Sequence, residues 1–188
     1  MRKINAGLYS TLDGVVEGPG PGDPFEHAGW TGPYFDADLG QAIGSILAAN
    51  DTMLLGRVTY EGFAAAFAGQ SGGVADVMNN TLKVVVSTTL KAADWQNSTL
   101  ISSDVAQAIN ALKQQPGKNI GVGGSPTLVR WLLRQGLLDE LTLIVMPIVL
   151  GKGKRLFEGG GDPLPLKLLD TRTFSTGVVL LTYGPAAA

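Results

Sequence analysis

The chain of 188 residues contains no cysteine and one histidine, His27. The first absence excludes a disulfide framework, a thiolate nucleophile and any cysteine-based zinc or iron–sulfur site. The second excludes H-E-x-x-H and every zinc site built on paired histidines, so no metal site is expected. Charge is also sparse: Asp, Glu, Lys and Arg make up 16% of residues, and the formal net charge is -2. With no basic field to gather phosphate backbones, nucleic acid is a poor partner. No apolar run is long enough to cross a bilayer, and the start at Met1-Arg2-Lys3-Ile4-Asn5 lacks the apolar core of a secretory signal. The expectation is a cytoplasmic protein with no membrane partner.

Glycine, in contrast, is abundant. The 26 glycines are about twice the usual share of ~7%, which points to tight turns or close backbone approach to a ligand. Hydrophobic residues at 45% suffice for a sizeable core, and no linker or repeat divides the chain, so residues 1–188 read as one domain.

Short apolar runs alternate with helix-period segments, the pattern of a layered α/β domain. Strands are expected at 4–8, 52–55, 83–86, 99–101, 120–122 and 141–146, and a terminal hairpin from 166–170 and 178–183. Helices are expected at 36–49, where Leu39, Ile43, Ile46 and Leu47 form one stripe, and at 59–67, 104–113 and 127–135. Ser102 or Ser103 would cap the third and Ser125 the fourth, with Pro126 in its first turn and Gly136 ending it. Residues 18–32 form a long loop around a surface His27, 69–73 a flexible connection, and the run Gly151-Lys152-Gly153-Lys154-Arg155 a solvated loop.

Small or polar residues mark three apparent strand-to-helix junctions, at Gly56-Arg57, Ser87-Thr88 and Gly123-Gly124-Ser125. In an open α/β sheet ligands bind beyond the carboxyl ends of the strands, where helix N-termini present unpaired N–H groups to phosphate. Arg57 could add a two-pronged bond to such a group. A glycine pair before a helix is also a common tight turn. The fingerprint G-x-G-x-x-G begins at Gly121 and Gly123 but meets Pro126 in its last place, and no P-loop occurs.

Taken in order, several segments resemble the dihydrofolate-reductase-like superfamily, and within it stand-alone relatives of the reductase domain of the riboflavin-biosynthesis bifunctional deaminase-reductase. They are Ser10-Thr11-Leu12-Asp13-Gly14, Leu54-Leu55-Gly56-Arg57-Val58-Thr59-Tyr60-Glu61, Val85-Val86-Ser87, Gly123-Gly124-Ser125-Pro126-Thr127-Leu128, Leu138-Asp139-Glu140-Leu141 and Pro147-Ile148-Val149-Leu150-Gly151-Lys152-Gly153. The resemblance implies a three-layer α/β fold with a central mixed, mostly parallel sheet. It implies NADPH as cofactor, hydride transfer to a small pteridine- or pyrimidine-like heterocycle, and a homodimer that would cover the apolar strands 141–146 and 178–183. Carried over, Gly56, Arg57, Val58 and Thr59 hold cofactor phosphates, Ser87 lies near the adenosine phosphate, and Gly123, Gly124, Ser125 and Thr127 meet the pyrophosphate and ribose. Thr11, Asp13 and Gly14 match the loop that closes over the nicotinamide.

The chain also departs from its relatives. Thr11 replaces the usual serine, and Gly123 stands where riboflavin-pathway reductases commonly carry a glutamate. No arginine matches a holder of the substrate's phosphate. The reaction that the resemblance implies is 5-amino-6-(5-phosphoribosylamino)uracil reductase-like, and these departures leave a dihydrofolate or pterin reductase, or a cofactor-binding module with little or no turnover, as alternatives.

Reducing a C=N or C=O bond also needs a proton. Asp36 and Asp38 stand where the resemblance places the reductases' acid, at a helix start. Asp36 suits a helix cap, and Asp38 is the candidate catalytic acid. Trp30, Tyr34 and Phe35 could stack on a flat substrate beside Asp36, or fill the core.

Overall fold

The computed structural model describes residues 1–158 and 160–186. Its elements run β1 (Ile4–Thr11), a short 3₁₀ turn (Gly32–Tyr34), α1 (Ala37–Ala48), β2 (Asn50–Gly56), α2 (Arg57–Phe67), α3 (Gly73–Asn80), β3 (Leu82–Val86) and β4 (Ser98–Ile101). There follow α4 (Val105–Gln114), β5 (Asn119–Val122), α5 (Pro126–Arg134), β6 (Glu140–Met146), β7 (Leu166–Thr173) and β8 (Val179–Pro185). The strands form one sheet in the order β4-β3-β2-β5-β1-β6-β8-β7. The first six are parallel, whereas β8 runs antiparallel to β6 and β7 to β8. The sheet is mixed and mostly parallel, as expected.

Alternation along the strands divides the core between two faces. Ile4, Ala6 and Leu8 of β1 pack with Leu54, Val84, Ile120 and Val122 against α4 and α5, through Ile109, Leu112, Leu128, Val129, Leu132 and Leu133. The opposite face meets α1 through Leu39, Ile43 and Ile46, and meets α2 and α3 through Tyr60, Phe63 and Met78. Each fully buried leucine, such as Leu39 or Leu132, stabilises by roughly 1.5–3 kcal/mol through apolar area removed from water. Leu47, expected in the α1 stripe, is instead exposed.

Three local expectations need correction. α4 begins after Asp104 in a left-handed conformation (φ 46°) without a side-chain cap, so neither Ser102 nor Ser103 caps it. Ser125 occupies the N-cap position of α5, but its side chain makes no capping bond. The third difference is α3, which the sequence leaves without an element. Its eight residues are too few to stand alone, and tertiary bonds hold its end. Lys83, fully buried on β3, donates from Nζ to the carbonyls of Met78 (2.8 Å), Thr81 (2.8 Å) and Asn79 (3.3 Å) and lies 4.1 Å from the centroid of the Trp95 ring. Burial lowers its pKa from 10.5 to about 8. Asn79 accepts from Trp95 Nε1 (2.7 Å) and donates to the carbonyls of Phe67 and Gln70.

Candidate active site

Because β3, β2 and β5 are parallel neighbours, their carboxyl ends fall on one edge of the sheet. The register pairs Gly56 with Val86 and Met53 with Gly121, and its continuation brings Gly56 level with Gly124. The β2–α2 and β5–α5 turns touch there. A Cβ on Gly56 would stand 2.9 Å from Ser125 Cβ, and one on Gly124 (φ 112°) would stand 3.4 Å from Thr59 Oγ1. Only glycine permits this approach. Gly123 differs, since a Cβ there would meet nothing within 4 Å among the described residues. Its bare backbone is exposed above the junction. Neither α2 nor α5 has a side-chain cap, so their first amides stay available to an anion.

β1 does not stop at this level. It is paired with β5 at Ala6–Val122, which brings Leu8 level with Gly124, but continues along β6 to Thr11–Met146, three residues or about 10 Å further at ~3.3 Å each. The rim is therefore stepped, and the β1–α1 connection starts beyond the level of the glycine junction.

On the other side of α2 lies an open groove of about 650 Å³ lined by Arg57, Glu61, Thr89, Leu90, Lys91, Ala92 and Asp94. Arg57 Nη1 donates to Glu61 Oε2 at 2.8 Å. Val58 and Thr127 are exposed beside these turns. Ser87 requires a correction: the chain after β3 leads through a loop into β4, with no helix between. Ser87 Oγ accepts from the amides of Thr89 (3.2 Å) and Leu90 (2.9 Å), which shapes the groove wall. Two helix N-termini and a serine turn, rather than three helices, meet at the rim. Tyr60 Oη accepts from the Trp95 amide at 2.9 Å and ties α2 to that loop.

The β1–α1 connection is clasped. Thr11 Oγ1 donates to Asp13 Oδ1 (2.6 Å), which also accepts from the Leu150 amide (3.2 Å). Asp13 Oδ2 accepts from the Gly151 amide (2.9 Å) and Arg155 Nη2 (3.3 Å). The Thr11 bond, helped by the two amides, lowers the Asp13 pKa from 3.8 to about 2. Lys154 pairs with Glu17 (2.8 Å), and Lys152 with Glu26, which His27 also meets at 3.0 Å. The bond from Lys154 depresses the Glu17 carboxyl. Arg155 bridges Val15 in antiparallel fashion, and Gly14 adopts φ 82° in the turn. The basic run 151–155 is thus no free solvated loop; its three cations each engage one acid of the β1–α1 connection. Thr11 and Asp13 spend their side chains on this clasp.

Beyond the clasp, Asp36 caps α1, its Oδ1 accepting from the Leu39 amide at 2.8 Å, while Oδ2 accepts from Ser175 Oγ at 3.2 Å. Asp38 is exposed in the first turn of α1, and no hydrogen bond or ion pair engages its side chain among the described residues. Trp30 is 5% exposed and donates from Nε1 to the Glu17 carbonyl (2.7 Å). It fills the core and offers no face to a substrate. Tyr34 is half-buried against the same cluster. Phe35 is exposed, 6.0 Å from the ring of Tyr9. Burial raises the Tyr9 pKa, which keeps that phenol neutral.

A separate hollow of about 390 Å³ lies between α5 and Phe157, Glu158, Gly160, Asp162 and Leu164. Its arginines are committed to the loop: Arg130 donates to the carbonyls of Arg155 and Leu156, and Arg134 to that of Gly160. Sequence reasoning overlooked Glu61, Lys91, Glu17 and Arg155. The four-residue spacing of Arg57 and Glu61 was a readable signal. No local pattern reveals that residues 13–26 and 152–155 meet.

The profile of the RibD C-terminal domain matches residues 2–180. The uncharacterized protein YyaP of Bacillus subtilis (strain 168) is 32% identical over 187 residues, covering 97% of this chain and 94% of that one. The fold resembles the diaminohydroxyphosphoribosylaminopyrimidine deaminase/5-amino-6-(5-phosphoribosylamino)uracil reductase of Thermotoga maritima (TM-score 0.68, 15% identity, 98% of this chain and 57% of that one). It also resembles dihydrofolate reductase from Enterococcus faecalis complexed with NADP(H) and RAB-propyl (TM-score 0.64, 14% identity, 98% and 97%). The chain has a dihydrofolate-reductase-like fold and belongs to the RibD C-terminal domain family.

Proposed function

We propose that the protein is an NADPH-dependent reductase of a small pteridine- or pyrimidine-like heterocycle, of the riboflavin-pathway kind. The observation that carries this reading is the shared glycine junction at Gly56, Gly123 and Gly124, where two uncapped helix N-termini meet. These residues fit a dinucleotide. The amides of Gly123, Gly124 and Ser125 and of the first turn of α2 would receive its pyrophosphate. Arg57, with Thr89 and Lys91, would face its adenosine end. The cofactor, when bound, supplies the hydride.

The clasped β1–α1 connection would exclude water from the stepped rim, carrying Thr11 and Gly14 at its edge. Asp38 would hold the proton for the substrate heteroatom, while Asp36 stays bound as the α1 cap. With Trp30 in the core, Tyr34 and Phe35 are the aromatics left to contact the substrate. The reading includes a homodimer. β6 and β8 pair with each other, so the surface to be covered is the β7 edge, where Leu168 and Leu169 are about half exposed (47% and 51%).

The test is a thermal shift and tryptophan-fluorescence titration with NADPH, followed by NADPH oxidation with flavin-precursor pyrimidines and dihydropterins. Saturable binding with turnover supports the proposal. Binding without turnover of any such heterocycle identifies a cofactor module instead, and no response at millimolar NADPH rejects both.

A further inference from the structure

The groove beside α2 holds two cations, Arg57 and Lys91, and two acids, Glu61 and Asp94. Its charges cancel. Arg57 and Glu61 lie one helical turn apart, joined at 2.8 Å, with side chains 43% and 46% exposed. A bond so exposed is easily exchanged for another partner. A 2′-phosphate on the adenosine ribose would bring about -1.5 to -2 charges to this place, and it would need Arg57. An unphosphorylated ribose would bring a hydroxyl, whose natural acceptor is a carboxylate, as in other dinucleotide sites where an acid reads the hydroxyl and an arginine the phosphate. Both readers are present here, and each occupies the other.

We propose that Glu61 is the specificity-determining residue of this groove. Its carboxylate holds Arg57, opposes a 2′-phosphate and accepts from a 2′-hydroxyl, so that it narrows the discrimination between NADPH and NADH. The inference rests on the proposed function, because only a dinucleotide lying along the rim brings its ribose to the groove. Lys91 and Asp94, which also line the groove, carry opposite charges and add no net charge to it, which leaves the balance to the Arg57–Glu61 pair.

The experiment measures dissociation constants of NADPH and NADH for the wild type and Glu61→Gln by calorimetry, at low and high salt. Adenosine 2′,5′-bisphosphate and adenosine 5′-monophosphate serve as fragment probes. Glu61→Gln keeps the length of the side chain at an exposed position, and its unfolding temperature checks the fold. The expected result is NADPH and the bisphosphate binding about three- to tenfold more tightly, NADH no more tightly than before, and the gain shrinking at high salt. If the wild type binds a dinucleotide but the NADPH-to-NADH ratio stays within about twofold in Glu61→Gln, this inference falls and the proposed function stands. If the wild type binds neither dinucleotide, both fall.

Discussion

Asp13→Asn isolates the clasp on the β1–α1 connection. The Asp13 carboxylate accepts four bonds, two at each oxygen, and one comes from a guanidinium. Asparagine keeps the shape but turns one oxygen into a donor, so it faces either Thr11 and Leu150 or Gly151 and Arg155 with the wrong polarity. The magnitude follows from the carboxyl pKa, lowered from 3.8 to about 2. At ~1.4 kcal/mol per unit the ceiling is about 2.4 kcal/mol, and solvent screening at a partly exposed group reduces it to about 1–1.5 kcal/mol. A chain of this size would lose roughly 3–5 °C of unfolding temperature.

The pH dependence gives the signature. A depressed carboxylate pKa contributes stability that is present above the unfolded value and is lost as pH falls through the folded value. The wild-type advantage over Asp13→Asn is therefore full above about pH 4 and fades toward pH 2. Urea unfolding followed by tryptophan fluorescence between these limits measures it. Equal stability at neutral pH, or a difference unchanged down to pH 2, would refute the reasoning.

Lys83 has the opposite pH signature. Its pKa is lowered from 10.5 to about 8, so the unfolded chain binds more protons between those values and this group's contribution rises with pH across that window. Lys83→Met should remove that rise, so that the wild type gains stability relative to the variant between pH 7 and 10; denaturation of both proteins at these two pH values checks this. Light scattering at micromolar concentration should return the mass of a dimer, and Leu169→Glu should return that of a monomer through its charge at the β7 edge. A monomeric wild type contradicts the homodimer.

Element types came through in the sequence wherever one face repeats. α1, with Leu39, Ile43 and Ile46 on one face, is such an element, and α5 came through by its end signals, Pro126 and Gly136. α3 did not come through, because its stability resides in bonds from Lys83 to the Met78 carbonyl and from Trp95 to Asn79, which form only after folding. The glycine turns at the rim were legible as turns. Their contact, Gly56 against Ser125, is long-range and carries no local pattern. Trp30 was ambiguous for a related reason: an aromatic in a glycine-rich loop can stack on a ligand or plug a core, and only the Glu17 carbonyl and the α1 cluster decide it. The clasp was hidden because each acid lies more than a hundred residues from its cation.

The most direct test of the account is a calorimetric titration of NADPH into Gly123→Val. The backbone at Gly123 has no positive φ, and an added Cβ meets nothing within 4 Å among the described residues, so the fold should tolerate the side chain while the open space above the rim is filled. The account predicts an unfolding temperature near that of the wild type and NADPH binding weakened by at least about a hundredfold, the loss of ~2.7 kcal/mol. A folded Gly123→Val that binds NADPH as the wild type does would contradict it.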